Sequence, residues 1–164
     1  ETAAAKAGKR SRIIAKMNSL LEPSVINALY EASQAGVKIE LIVRGVCALR
    51  PGIKGLSENI RVRSIIGRLL EHHRVFYFYA GGEENVYLSS ADWMERNFFR
   101  RIELAFPVLD KKLKRRVIAE GLQIYLTDNQ QSWVMDAHGS YHPHRSSRSK
   151  PRCAQSELIE LLRP

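Results

Sequence analysis

Imidazole, hydroxyl, carboxylate and guanidinium groups crowd into one stretch of this chain, from Leu70 to Phe106. LEHHRVFYF opens it with His72 and His73, Gly81-Gly82 turns the chain, and VYLSSADWMERNFFRRIELAF adds Ser89, Ser90, Asp92, Arg100, Arg101 and Glu103. Gathered at strand ends, these are the groups that chemistry on a phosphate needs. Histidine exchanges a proton or accepts a phosphoryl group near neutral pH, and arginine holds phosphoryl oxygens through two parallel hydrogen bonds.

His72 is the leading candidate. Glu71 and His73 flank it, Arg74 follows, and Ser89, Ser90 and Asp92 lie on the strand that should pair alongside. A carboxylate to hold the tautomer and cations to hold phosphate suit general acid/base or phosphoryl-accepting work. His73 points to the other side of an extended chain and reads as structural. Arg44 closes the apolar run VKIELIV, at the carboxyl edge where open α/β sheets bind ligands, and is assigned a phosphate contact. Of Arg100 and Arg101, Arg101 keeps the phase of the following strand and is the third candidate; a structural pairing with Glu103 is its alternative. His138, His142 and His144 have only Asp136 as a nearby carboxylate, so no metal is assigned to them. KKLKRR (111–116) reads as a solvated helix face, and Cys47 as an inert, partly buried thiol.

These residues need a scaffold. SRIIAKM (11–17) reads as a strand, and Glu22-Pro23-Ser24, with Ser24 as the cap, starts a helix through VINALYEASQ that Gly36 stops. VKIELIV (37–43) is a buried strand. A helix feeding directly into a strand is a crossover unit, so the fold class is α/β with a mixed sheet containing parallel pairs. Residues 44–59 form a long, functional loop punctuated by Gly45, Pro51, Gly52 and Gly55. Ile60–Ile66 is a strand with a basic face, GRLLEH a short helical turn, and 74–80 and 84–90 a hairpin across Gly81-Gly82. RIELAFPV (101–108) is a further strand, and Asp110 caps an amphipathic helix over 111–127 with Leu113, Val117, Leu122, Ile124 and Tyr125 as its contacts. Residues 137–152 are too polar and basic to bury much and read as an exposed loop or tail before a last helix, SELIELL.

The chain has 164 residues, enough for one domain with a core, and a net charge of +9 that draws anions. Residues 1–136 are read as the body of the domain and 137–164 as its basic tail and terminal helix. Two cysteines without CxxC spacing argue for a reducing compartment, and no apolar run is long enough for a membrane span. Zinc spacings, an aromatic RNA-binding signature and a Walker loop are absent, which argues against a nucleic-acid partner. A chain opening on ETAAAKAGKR reads as part of a longer protein.

The blocks RGVCALRPG, SENIRVRSI and SSADWM, in this order and spacing, resemble the C-terminal catalytic domain of bacterial type-1 polyphosphate kinases. The likeness runs from about Ala5 to Leu126 and more loosely to the end. It implies a phospholipase D-like mixed β-sheet flanked by helices. Where phospholipase D enzymes carry His-x-Lys and Gly-Ser-x-Asn, this chain resembles them with His72-x-Arg74 and Ser89-Ser90-Ala91-Asp92, departures that argue against phosphodiesterase chemistry. The resemblance implies reversible transfer of the terminal phosphate of ATP to inorganic polyphosphate, through a phosphohistidine and with magnesium. It places that histidine and the magnesium ligands in upstream domains, so the isolated fragment would be inactive. By the same resemblance, Arg44 and His72 contact ATP and Arg101 adds a phosphate contact. A cytoplasmic, homo-oligomeric full-length protein, with peripheral membrane association as an option, is part of that expectation. Two other classes compete: a non-catalytic module that binds polyanions, and a phosphodiesterase formed by two such half-sites.

Overall fold

The computed structural model describes residues 1–145 and 150–163. Residues 146–149 of the basic segment and Pro164 lie outside the described residues.

After a short helix, Thr2–Lys6 (α1), the strand Ser11–Met17 (β1) forms the axis of the sheet. Its alternation sends Ile13, Ala15 and Met17 to one face and Ile14 to the other. Pro23–Gln34 (α2) leads to Lys38–Val43 (β2), which pairs parallel with β1 from Arg12↔Lys38 to Met17↔Val43. Ile60–Ile65 (β3) adds a second parallel pair, so the crossover expectation holds. Arg74–Ala80 (β4) runs antiparallel to β1 on its other side and returns through Gly81 and Gly82 as Glu83–Ser89 (β5). Both glycines have positive φ, 60° and 110°, as a two-residue turn between twisted strands requires.

Beyond β5 come Glu95–Phe99 (α3) and the three-residue edge strand Ala105–Pro107 (β6). Lys111–Ile118 (α4) passes through a π-helical turn, Ala119–Gln123, into Ile124–Leu126 (α5). Ser132–Met135 (β7) pairs with β3 and with Tyr141–Pro143 (β8), and Ala154–Leu161 (α6) closes the described chain. The sheet order is β6-β5-β4-β1-β2-β3-β7-β8.

Both faces are covered. Leu29 and Ala32 of α2 pack on Ile13, Ala15, Ile39, Leu41, Ile60, Val62 and Phe76. On the opposite face Leu122 meets Ile14, Val75, Tyr77 and Val86, while Tyr125 and Ala154 meet Ile42 and Ile65. Double coverage explains why β1 and β2 read as near-continuous apolar runs.

Several expectations need correction. Glu22, not Ser24, caps α2: its carboxylate accepts from Val25 N at 2.7 Å and from the Ser24 hydroxyl. GRLLEH forms bends rather than helix, with Leu70 left 71% exposed and no packed face to stabilise a turn. The strand expected over 101–108 exists only at Ala105–Pro107, because 101–104 have no partner strand. Leu113 is exposed, and the long helix is interrupted by its π-helical turn. The segment 137–145 is largely exposed as expected, yet it contains β8, paired to a strand at 132–135 that was not foreseen.

Candidate functional site

The register sets which residues share an edge. Met17 lies opposite Val43, Lys16 opposite Val75, and Arg74 opposite Ser89. The carboxyl ends of β1, β2 and β5 therefore meet the start of β4. Asn18, Arg44, His72, Arg74 and Asp92 all emerge there.

Asp92 is the hub of this edge. Its Oδ1 accepts from Asn18 N (2.7 Å), Asn18 Nδ2 (3.1 Å) and Arg74 Nε (3.1 Å), and its Oδ2 from Arg74 Nη2 (3.1 Å). Burial works to raise this carboxyl, but the bonds from Arg74 and Asn18 outweigh it and hold the group below its ordinary 3.8. Because Asn18 Nδ2 donates to Asp92 and to His72 O (3.3 Å), Asn18 Oδ1 is left to accept from Arg44 Nε at 3.0 Å. Arg74 Nη1 donates to the same His72 carbonyl at 3.0 Å. Gly45 makes room for this: its amide donates to Asn18 O at 2.7 Å, where an added Cβ would approach that oxygen to 2.9 Å.

The structure thus joins two of the three sequence candidates through one side chain. Arg44 is exposed, with Nε engaged by Asn18 and its backbone carbonyl accepting from Ser64 Oγ at 3.3 Å. His72 is exposed, and its ring hydrogen-bonds no described residue. The carboxylate expected to hold its tautomer is not there: Glu71 turns inward and Asp92 is taken by Arg74 and Asn18. Arg101 lies on an exposed bend outside any strand, so the phase argument that selected it over Arg100 does not apply. Glu103 is not its ion-pair partner either, since that carboxylate accepts from Ser90 Oγ and Asn97 Nδ2, with Arg101 only a more distant charge.

A second polar layer lies beneath His72. Lys16, 2% exposed, donates to Glu71 Oε2 at 2.9 Å and stands 4.5 Å over the Tyr125 ring. Burial alone would raise the Glu71 carboxyl, yet Lys16, Gln155 and Tyr125 together keep it below its ordinary value, so Glu71 is ionised. Burial lowers the Lys16 ammonium, with Glu71 opposing. Gln155 of α6 donates to Glu71 Oε1 and to Leu69 O, both at 2.8 Å, and accepts from Leu69 N at 2.9 Å. His73 Nε2 sits 3.4 Å from Gly121 O of the π-helical turn, in agreement with its structural reading. Burial and the Lys16 charge favour the neutral form of His73.

Elsewhere the chemistry is thin. Burial pushes the Cys47 thiol to about 11, in line with an inert side chain. His142 Nε2 lies 2.8 Å from Asp136, and among the described residues no group of three or more His, Cys, Asp or Glu is placed to hold a metal. A cavity of about 680 Å³ lies at the other end of the sheet, lined by Lys9, Arg10, Arg12, Lys38, Glu40 and Arg61 among others. None of the candidate residues reaches it.

Sequence reasoning missed Asn18, Lys16 and Gln155. Lys16 carried a signal, a lysine in the middle of an apolar strand, where an unpaired charge is too costly to leave buried. Asn18, directly after a strand that ends beside Arg44, carried a weaker one. Gln155 carried none, since its partners are some 84 and 86 residues away.

The chain is similar to several known proteins. The family described as "Polyphosphate kinase C-terminal domain 2" matches residues 1–155. The polyphosphate kinase of Burkholderia vietnamiensis is 70% identical over 155 residues, 94% of this chain and 22% of that protein. That of Paraburkholderia phytofirmans is 66% identical over the same share of each. This chain therefore spans about a fifth of the length of such relatives. Among solved structures, polyphosphate kinase from Porphyromonas gingivalis superposes with a TM-score of 0.94 at 44% identity, over 98% of this chain and 24% of that one. The phospholipase D family member Nuc from Salmonella typhimurium shares the fold, with a TM-score of 0.52 at 15% identity over 88% of this chain and 89% of that one.

Proposed function

This chain belongs to the polyphosphate kinase C-terminal domain 2 family, and we propose that its Asn18-centred edge holds the phosphates of ATP during transfer to inorganic polyphosphate. The observation that carries the proposal is that one buried asparagine grips both the Arg44 guanidinium and the His72 backbone. With Nε engaged, Arg44 keeps its two Nη groups for a bidentate grip on phosphate oxygens. The His72 ring, with no described partner, is left to donate or take a proton at the transferring group. Arg101 supplies further positive charge from its bend. Phosphoryl transfer asks for positioning and for fixed charge where the equatorial oxygens gain electron density, and these groups meet that demand.

The remaining parts belong to the rest of a longer protein: the phosphorylated histidine and the magnesium ligands. The residues described here do not fit a magnesium site, because the two carboxylates of this edge are consumed by Arg74 with Asn18 and by Lys16 with Gln155. Exposed apolar side chains from Phe98 to Leu109, with Phe99 70% exposed, fit a domain covered by further parts of its own chain. Assembly as a homo-oligomer and a cytoplasmic setting are part of the same proposal; no helix among the described residues is long and apolar enough to cross a membrane.

The phosphodiesterase reading is disfavoured by the Arg74–Asp92 pair, which turns both replaced positions toward each other instead of toward a phosphate. In the full-length enzyme, His72→Ala should cut polyphosphate synthesis by about 10²–10⁴-fold. Near-normal synthesis in a folded His72→Ala enzyme removes the imidazole from the mechanism. Binding that weakens steeply with salt and ignores Arg44→Ala would favour a purely electrostatic polyanion module instead.

A further inference from the structure

The segment that carries His72 has no secondary structure of its own. Residues 66–73 run from the end of β3 to the start of β4 without a strand partner or a helical turn. A side chain on such a segment is normally mobile, and a loosely held reacting group forfeits most of its rate advantage. Something outside the segment has to hold it.

The clasp comes from the far end of the chain. The Gln155 amide meets both backbone groups of Leu69, accepting from its N–H at 2.9 Å and donating to its C=O at 2.8 Å, as a neighbouring strand would. The same Nε2 donates to Glu71 Oε1 at 2.8 Å, and Glu71 Oε2 is held by Lys16 at 2.9 Å. Gln155 is 4% exposed, and Gly67 lies against it so closely that a Cβ there would come within 2.4 Å of its Oε1. Gln155 is in turn fixed by its helix: Ala154 N donates to Asp128 Oδ2 at 2.7 Å, and Ala154 is buried against Ile42, Ile65 and Tyr125. The Leu69 backbone and the buried Glu71 carboxylate are thus pinned, with the exposed His72 next in sequence.

We propose that Gln155 is a positioning residue for His72: α6 clasps the unstructured segment 69–71 and so fixes where the imidazole stands. The proposal rests on the assignment of His72 to phosphoryl transfer. Asn18 and Arg74 hold the His72 carbonyl on one side and Gln155 holds the residues before it, and Gln155 makes no bond to Arg44, Asn18 or Asp92. Losing the clasp should therefore act on turnover and spare nucleotide binding.

The test is a mutant cycle in the full-length enzyme, with ATP and polyphosphate as substrates. Gln155→Ala should lower kcat by about 10- to 100-fold and leave the KM for ATP within about two-fold. Hydrogen exchange at the Leu69 and Glu71 amides should speed up, while that of β1 stays unchanged. In a His72→Ala background, adding Gln155→Ala should cost nothing more, because the group it positions is gone. An equal further loss in that background, or a rise in KM that matches the fall in kcat, means that Gln155 is structural only and overturns the proposal. Should Gln155→Ala fail to fold, the Glu71→Gln/Gln155→Glu exchange replaces it. That pair restores the side-chain bond between 71 and 155 but not the donor to Leu69 O, so it should recover part of the kcat lost in Gln155→Glu alone; no recovery overturns the proposal equally. If His72→Ala itself retains normal synthesis, the fault lies with the assignment of His72 and not with the clasp.

Discussion

The two ends of this sheet hold their charges differently, buried and paired at one and exposed at the other. At the end where β1 and β2 finish, Lys16, Glu71, Asn18 and Asp92 are between 2% and 7% exposed; Glu71, Asn18 and Asp92 each have at least two polar partners, and Lys16 has Glu71 and the face of the Tyr125 ring. At the other end lies the cavity of about 680 Å³, with Lys9, Arg10, Lys38 and Arg61 exposed around it and Arg12 paired with Glu40 at 28% and 26% exposure. Open space and exposed positive charge mark the second end. Fixed geometry is found at the first. Catalysis of phosphoryl transfer depends on groups already aimed before the substrate arrives, so the more tightly bonded edge is the better candidate.

If that contrast is right, damage at the two ends should differ in size. Lys16→Ala leaves a buried carboxylate without its cation and should cost about 3–5 kcal/mol of stability in urea unfolding. A loss of about 1 kcal/mol or less, the range of an exposed pair, would erase the distinction between the ends.

Acid should act at the same end. Glu71 and Asp92 are both depressed in the folded state, so the stability they contribute is fully present above their ordinary values of 4.5 and 3.8. It is lost as pH falls through their lower folded values. Urea midpoints followed from neutral pH downward should therefore fall off in that acid range. Glu71→Gln should flatten the decline, and Arg12→Ala should leave its shape unchanged.

Asp92→Asn sharpens the comparison within the site edge. It removes one charged acceptor from Arg74 and Asn18, worth about 1.5–3 kcal/mol, and loosens the Asn18 amide that aims Arg44. The KM for ATP should rise in the full-length enzyme, the reverse of the pattern expected for Gln155→Ala. Smallest of all should be Arg12→Ala at the opposite end, within about 1 kcal/mol in stability and without effect on synthesis. A strong loss of synthesis there would show that the basic cavity takes part in the reaction.

Much of this was legible from local pattern. β1, α2, β2, the Gly81-Gly82 hairpin and the Asp110-capped helix follow from periodicity and turn chemistry, which act over a few residues. The misreadings fall where a neighbour decides. Residues 101–104 have strand-like composition but lack a partner, and 132–135 become a strand only because β3 offers an edge. The Glu22 cap displaced Ser24 because a carboxylate one position earlier reached the Val25 amide.

Residue type and order alone established the α/β class and the family resemblance, and singled out His72, Arg44 and Arg101 as candidates. They did so because propensity, charge and motif spacing are properties of neighbouring residues. Only the folded chain decided that Asn18 would join Arg44 to His72, that Lys16 would meet Glu71 55 residues away, and that Gln155 would clasp the histidine segment. A hydrogen bond depends on distances of a few tenths of an ångström between groups that the backbone brings together from remote positions, and nothing in a linear pattern encodes that approach.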